Sequence, residues 1–288
     1  MNRKQKAIRL LNEMEDTLIC PFCHEVLKVE EERSLKCSKN HTFDIAKQGY
    51  VNVLSNAVKT SYDKDLFTSR YEVIRNIGFY SELQDELKKA IEKHITKEKM
   101  TILDIGCGEG SHLNKVKELL PSKIVTGIGI DISKEGILVA AKNYDELNWL
   151  VGDLANIPVN DQSVDVILDI LSPSNYKEFL RILAKDGVVI KVVPAREYLK
   201  EIREVIFEDA TRHRYEQDEK IVDLFHQHFH EVEKISVKYM KQLSRLEMEH
   251  LIRMTPLTWN APNDKIEKLL MKDSQTITID LEILIGKN

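Results

Sequence analysis

No stretch of the sequence approaches the ~18 uninterrupted apolar residues that a membrane-crossing helix needs, so no membrane partner is expected. No secretory leader is expected either: the opening MNRKQKAIRLLNEMEDTLI breaks its apolar residues with Asn12, Glu13, Glu15 and Asp16. Cysteine is scarce, with four residues in 288. In the cytoplasmic, reducing compartment that these absences suggest, the four read as free thiols or metal thiolates and not as disulfides. There is also no surplus of positive charge: 42 Lys and Arg against 47 Asp and Glu give a formal net charge of −5. Charge alone therefore argues against a nucleic-acid partner. Internal repeats and low-complexity tracts are lacking too. What is there is ordinary globular composition, 42% hydrophobic and 31% charged, in a chain long enough for one large core and a small satellite domain.

Apolar patterning divides the chain into four expected segments. Residues 1–18 place Ile8, Leu10, Leu11 and Met14 at roughly helical spacing, which predicts a lead helix. Residues 19–55 hold three of the cysteines and read as a small metal-binding ribbon. Residues 56–98 read as a linker followed by two helices, the second capped by Ser81 with Leu83, Leu87 and Ile91 on one face. Residues 99–288 form the last segment. There, seven short apolar runs alternate with helical patterns: TILDIG, IVTGIGID, NWLVGD, VDVILDI, GVVIKVVP, EVEKISVKYM and TITIDLEILIG. Such alternation predicts an α/β domain on a seven-stranded, largely parallel sheet with helices on both faces. A long excursion separates the last two runs, so the closing strand is expected to be antiparallel.

In the second segment Cys20 and Cys23 form C-x-x-C, and Cys37 and His41 follow as C-x-x-x-H. Two such knuckles supply the four ligands of a closed tetrahedral zinc site, and with no open position the zinc is expected to be structural. The short strands around it are too small to bury a core alone, and metal binding then supplies folding free energy. A redox pair would need a βαβ context, which these cysteines precede. His24 is out of register with the ligand spacing and reads as a surface residue. In FHQHFH, His226, His228 and His230 span the end of a helix and the start of a strand, so the three are not expected to converge on a metal.

A different chemistry begins at TILDIGCGEGSH. An apolar strand ends in Asp104, then Gly106, Gly108 and Gly110 turn the chain into a helix, a geometry that lets a ligand press against backbone amides. About 20 residues on, Asp131 ends the second run, where an acid accepts hydrogen bonds from ribose hydroxyls. The loop is G-x-G-x-G, not the G-x-G-x-x-G of dinucleotide sites. Asp104 and Glu109 would repel phosphates and suit a cationic nucleotide cofactor without them, a description that fits S-adenosylmethionine. Asp153 after the third run is placed to meet the adenine amino group, and Leu154 to pack on its ring. Cys107 has no histidine partner in view and reads as a small residue tucked behind the turn, not as a nucleophile. Over residues 99–288 the sequence resembles the class I, Rossmann-like, seven-stranded methyltransferases.

The combination is more specific than either part. CPFCHEVL, CSKNHTFDIAKQGYVNVL, LDIGCGEG, LSPS, VVPAREYLKEI and RMTPLTWNA occur in the order seen in bacterial 23S ribosomal RNA guanine-N1 methyltransferases with an N-terminal zinc ribbon. The resemblance covers nearly the whole chain beyond the lead helix. It implies transfer of a methyl group to N1 of a guanine in a hairpin of domain II of 23S rRNA, and it brings RNA back as a partner after the charge argument had removed it. It implies also that the guanine is extruded from its stack, and it allows a homodimer whose zinc domains frame a cleft. Carried onto this sequence, Cys20, Cys23, Cys37 and His41 take the metal positions. Tyr80, Asp104, Gly106, Gly108, Glu109, Gly110, Asp131, Asp153, Leu154 and Tyr198 take the cofactor positions. Tyr198 stands where relatives often carry histidine. Relatives also show a pair of arginines before GFY, where this chain has Arg70 followed by Tyr71.

Guanine N1 carries a proton at neutral pH, so a base is needed; Asp169 and Ser172, at the strand end VILDILSPS, are the candidates. Trp259 reads as a core tryptophan, with stacking on a base as the alternative. Two other functions stay open. One is a class I methyltransferase for a small molecule or protein, with the ribbon as lid or docking module. The other is a catalytically idle cofactor-binding protein whose ribbon docks on a partner.

Overall fold

In the computed structural model of the chain, residues 1–14, 16–56, 58, 62–207 and 215–287 are described, with the backbone alone at 215–219. Parts of the expected linker (57 and 59–61) and of the final segment (208–214 and 288) lie outside them.

The lead helix α1 (Arg3–Asn12) starts at a capping box in which Asn2 and Gln5 satisfy each other's backbone amides. It buries Ala7, Ile8 and Leu11. Three-residue strands β1 (Lys28–Glu30), β2 (Ser34–Lys36) and β3 (Thr42–Asp44) make a small antiparallel sheet around the cysteines. Next come β4 (Tyr50–Asn52), α2 (Lys64–Tyr71) with a π-helical continuation over Glu72–Asn76, and α3 (Ser81–His94). Ser81 is the first residue of α3 and not its cap. Tyr80 holds the cap position, and the Ser81 hydroxyl donates to the Gly78 carbonyl.

The seven apolar runs all become strands: β5 (Lys99–Ile105), β6 (Ile124–Asp131), β7 (Asn148–Val151), β8 (Val164–Ile170), β9 (Leu183–Pro194), β10 (Glu231–Ser244) and β11 (Ser274–Lys287). Between them lie α4 (Ser111–Leu119), α5 (Lys134–Asn143), α6 (Tyr176–Ile182), α7 (Lys200–Ile206), α8 (Tyr215–His228), α9 (Arg245–Met254) and α10 (Asn263–Leu269). The sheet order is β10-β11-β9-β8-β5-β6-β7-β4, with β11 antiparallel to both neighbours as its long approach predicted. Alternate strand residues go to opposite faces. Ile102, Val166, Leu168, Val188 and Ile190 join Leu83, Leu113, Ile137 and Leu251 on one side, while Leu103, Ile105, Ile167 and Val189 join Ile8, Phe179 and Phe225 on the other.

An eighth strand was not expected, and it comes from the ribbon. β4 pairs in parallel with β7, Tyr50 opposite Trp149 and Asn52 opposite Val151. Ribbon residues Leu35, Phe43 and Val51 share one core with Ile130 and Leu150. The boundary near residue 55 therefore divides the chain in sequence but not in hydrogen bonding. This pairing ties the end of the ribbon to the sheet edge. Among the described residues, no helix is long and apolar enough to cross a membrane.

Candidate metal and cofactor sites

The two knuckles close on one point. The thiol sulfurs of Cys20, Cys23 and Cys37 and a ring nitrogen of His41 all lie within 4.8 Å of one another. Cys23 and Cys37 Sγ are 3.6 Å apart, and His41 Nδ1 is 3.4 Å from Cys20 Sγ and 3.5 Å from Cys37 Sγ. These edges are too long for a disulfide and match a tetrahedron with metal–sulfur bonds of ~2.3 Å. The donor set thus fits zinc, held through His41 Nδ1. His24 is exposed, as expected. His228 stacks on Tyr176 with ring centroids 4.6 Å apart, and no second metal cluster forms among the described residues.

At the other site the strand order reverses around β5, whose neighbours β6 and β8 carry the chain in opposite directions. Ligands bind at such a switch point, beyond the carboxyl ends of the strands. A cavity of about 560 Å³ opens there. Gly106, Gly108, Asp131, Asp153 and Leu154 line one part of it, with Tyr80 and Tyr198, whose hydroxyls are 2.6 Å apart. Gly106 and Gly108 hold φ of +65° and +58°. A Cβ on Gly106 would lie 2.8 Å from that of Ser172, so its absence lets the two loops touch. Asp131 accepts from the Gly108 and Ser133 amides at 2.8 and 2.7 Å and keeps lone pairs for hydroxyl donors. Asp153 accepts from the Ala155 amide at 2.8 Å and is otherwise exposed.

The other loop residues stand behind the cavity wall. Asp104 is buried with Oδ2 unpartnered, and burial pushes its carboxyl well above the usual range. Glu109, also buried, has Oε2 2.6 Å from Arg70 Nε. Gly110 is a packing glycine, for the Trp149 ring occupies the space of its missing Cβ. Cys107 is buried, and desolvation raises its thiol far above the usual value. An orphaned buried carboxylate oxygen, amides turned by positive-φ glycines and Asp131 together suit a cationic nucleoside with ribose hydroxyls.

Asp169 and Ser172 do meet. Ser172 lines the cavity, and its Oγ is 2.6 Å from Asp169 Oδ1 and 2.8 Å from the Ile105 carbonyl. Asp169 is 0% exposed; it accepts from Ser174 Oγ at 2.6 Å and from Lys191 Nζ at 2.9 Å. Burial raises its carboxyl pKa, opposed by Lys191 and by the hydroxyls. Leu171, at φ +55°, stores backbone strain beside them. Lys191 escaped the sequence reading because GVVIKVVP looks like a plain buried strand; a lysine inside such a run was the available signal.

Trp259 is not in the core. It is 39% exposed at the cavity mouth, edge-on to Tyr62 with ring centroids 5.4 Å apart, among Pro173, Pro256 and Leu257. Also unforeseen is His112 in α4, buried beside Gln84 with Nε2 unpartnered. Burial drives its pKa from 6.5 down to about 3. The folded chain keeps this ring neutral while the unfolded chain protonates it, so the ring's own contribution to stability is level above pH 6.5 and falls below it by up to ~1.4 kcal/mol per pH unit. His112→Gln should flatten that acid limb, as read by urea unfolding at pH 7.5 and 5.5; an unchanged slope would assign the limb to other groups.

Comparison with known proteins places both parts of the chain. Residues 18–62 match the family model described as RlmA, N-terminal, a zinc ribbon, and residues 96–251 match one described as a methyltransferase domain. The chain is 42% identical over 270 residues to YxjB of Bacillus subtilis (strain 168), a protein provisionally named 23S rRNA (guanine-N(1)-)-methyltransferase. That match spans 93% of this chain and 95% of YxjB. It is 26% identical over 253 residues to the 23S rRNA (guanine(748)-N(1))-methyltransferase of Streptomyces fradiae, spanning 87% of this chain and 89% of that one. Among solved structures, the plantazolicin methyltransferase BpumL in complex with SAH is 18% identical, with a TM-score of 0.49 over 80% of this chain and 91% of that one.

Proposed function

Because the chain belongs to the 23S rRNA (guanine-N(1))-methyltransferase family, we propose that it methylates N1 of a guanine in 23S rRNA, with S-adenosylmethionine as donor and a structural zinc. The observation that carries this reading is one cavity with two ends, a polar glycine-loop end and an aromatic, apolar mouth, with Ser172 on its wall. S-adenosylmethionine, when bound, supplies an electrophilic methyl on a sulfonium sulfur. Asp131 accepts from the ribose hydroxyls, Asp153 meets the adenine amino group and Leu154 packs on the ring. Tyr62 and Trp259 offer ring faces to an extruded base, as base-flipping enzymes require.

Ser172 is the group in reach of N1–H, and Asp169 stands behind it. The N1 proton would pass to Ser172 Oγ as the hydroxyl proton moves to Asp169, leaving a nitrogen lone pair for the methyl that S-adenosylmethionine would supply, with the S–C electron pair staying on its sulfur as a thioether. Burial makes Asp169 a better base than a solvated carboxylate, while Lys191 and Ser174 keep it aimed. The hairpin of domain II is the proposed RNA element, the cytoplasm the compartment, and a homodimer whose ribbons frame the hairpin the assembly.

The test is nucleoside mass spectrometry of 23S rRNA from cells lacking this protein, after incubation with the purified chain and labelled S-adenosylmethionine. Labelled 1-methylguanosine is expected, with Ser172→Ala slower by ~10²-fold or more in kcat. No labelled nucleoside, from zinc-loaded protein that binds S-adenosylhomocysteine, would move the activity to a small molecule or protein.

A further inference from the structure

We propose that Arg70 recognises the α-carboxylate at the amino-acid end of the bound cofactor, an assignment that rests on the methyltransferase reading above. Arg70 belongs to α2, outside the sheet domain's own segment, and its side chain crosses the glycine loop. Its Nε lies 3.1 Å, and its Cδ 3.6 Å, from the place a Cβ on Gly108 would occupy. Arg70 lines the cavity beside that glycine.

Nε is in ionic contact with Glu109 Oε2 at 2.6 Å, yet the two are not aligned as a hydrogen bond, and neither atom has another partner. The rest of the fork has no hydrogen-bond partner among the described residues. A planar, five-donor cation is thus anchored by one edge and open to the cavity along the other.

The charges around it say what it faces. Asp104, Glu109 and Asp131 surround the loop, and Asp104 Oδ2 is orphaned. Acids alone suit an ammonium and ribose hydroxyls but repel a carboxylate. The methionyl end of the cofactor carries both an ammonium and a carboxylate, so the loop needs one cation, fixed in place, for the second. Arg203 also lines the cavity but stands on α7, beyond β9 and two strands from β5. Arg70 is the cation over the glycine loop, and a bidentate fork matches a carboxylate.

Arg70 also neutralises buried Glu109, so a loss of binding on substitution could come from a damaged loop. Two ligands separate the roles: S-adenosylhomocysteine, which has the amino-acid end, and 5′-deoxy-5′-methylthioadenosine, which keeps the adenosine thioether and lacks that end. Calorimetric titration of the full zinc-loaded chain compares wild type, Arg70→Lys and the double variant Arg70→Gln/Glu109→Gln, which leaves no buried charge unpaired. The expected result is a Kd for S-adenosylhomocysteine raised by ~10- to 100-fold in both variants, the range for a charge-assisted pair, with the methylthioadenosine Kd within about twofold of wild type. Equal losses for both ligands would make Arg70 a builder of the loop and overturn the assignment. Unchanged affinity for both, with weakened RNA binding, would overturn it in favour of a phosphate contact. Wild-type protein that fails to take up S-adenosylhomocysteine would overturn the methyltransferase reading and this assignment with it.

Discussion

Cys37→Ser, or removal of zinc by a chelator, is expected to weaken S-adenosylhomocysteine binding by ~10-fold or more by depleting the binding-competent state, although no residue of 19–55 lines the cofactor cavity. The coupling runs through direct hydrogen bonds between the ribbon and the segment after β7. Asn156 Nδ2 donates to the carbonyl of Pro21, inside the first knuckle, at 2.7 Å, and the Ile19 amide donates to Pro158 at 3.1 Å. Leu18 bridges to Val159. The segment that follows Asp153 and Leu154 is thus held against the knuckle, and β7, which delivers those two residues, loses β4 when the ribbon melts. Strands of three residues and a few buried side chains cannot hold the ribbon without metal, whose apparent binding free energy in zinc-finger peptides is ~10–16 kcal/mol. Titrating the chelated metal colorimetrically while following cofactor binding checks this. Full release of one zinc with unchanged affinity would refute the coupling.

Gly110→Ala is expected to cost ~2–5 kcal/mol, combining overpacking with a left-handed backbone, and to lower Tm by roughly 5–15 °C. At φ +80° an added Cβ would sit 2.2 Å from Trp149 Cη2 and 2.7 Å from Cζ3. The indole has nowhere to go. It is buried, its Nε1 donates to the Tyr144 carbonyl at 2.7 Å, and on its other side a Cβ on Gly129 would meet it at 2.3 Å. Gly78→Ala is the control: φ is +64°, but the nearest atom is Lys241 Nζ at 3.8 Å, so only the conformational part, about 1–2 kcal/mol, applies. Adding Trp149→Phe to Gly110→Ala should recover part of the loss, because a smaller ring relieves the same clash. Strictly additive costs in thermal unfolding would mean that the steric account is wrong.

Gly110 shows where reading along the chain stops. Its place in G-x-G-x-G marks it as a ligand-loop residue, and only the packing of Trp149, 39 positions away in β7, reveals a steric role. Much else was legible. The seven strands follow from short apolar runs, because a buried strand declares itself locally. The clustering of Cys20, Cys23, Cys37 and His41 follows from spacing, because each knuckle is a local turn, and the places of the glycine loop, Asp131 and Asp153 follow from the strand ends. None of these needs the rest of the molecule.

The unforeseen features all join distant segments. β4 looks like part of a ribbon until its edge hydrogen bonds find β7. Trp259 looks like core until the fold sets it at the mouth beside Tyr62. Arg70 looks like one basic residue in a charged helix until α2 lays it across Gly108, and Lys191 meets Asp169 only because β9 lies next to β8. The sequence by itself determined the seven main strands, the Cys and His set that clusters and the turn of the glycine loop, since each depends on neighbours a few residues apart. Tertiary structure alone decided which charges face one another and which aromatic rings reach solvent, since burial and Coulomb energies depend on distance in space, and the chain fixes that only once it is folded.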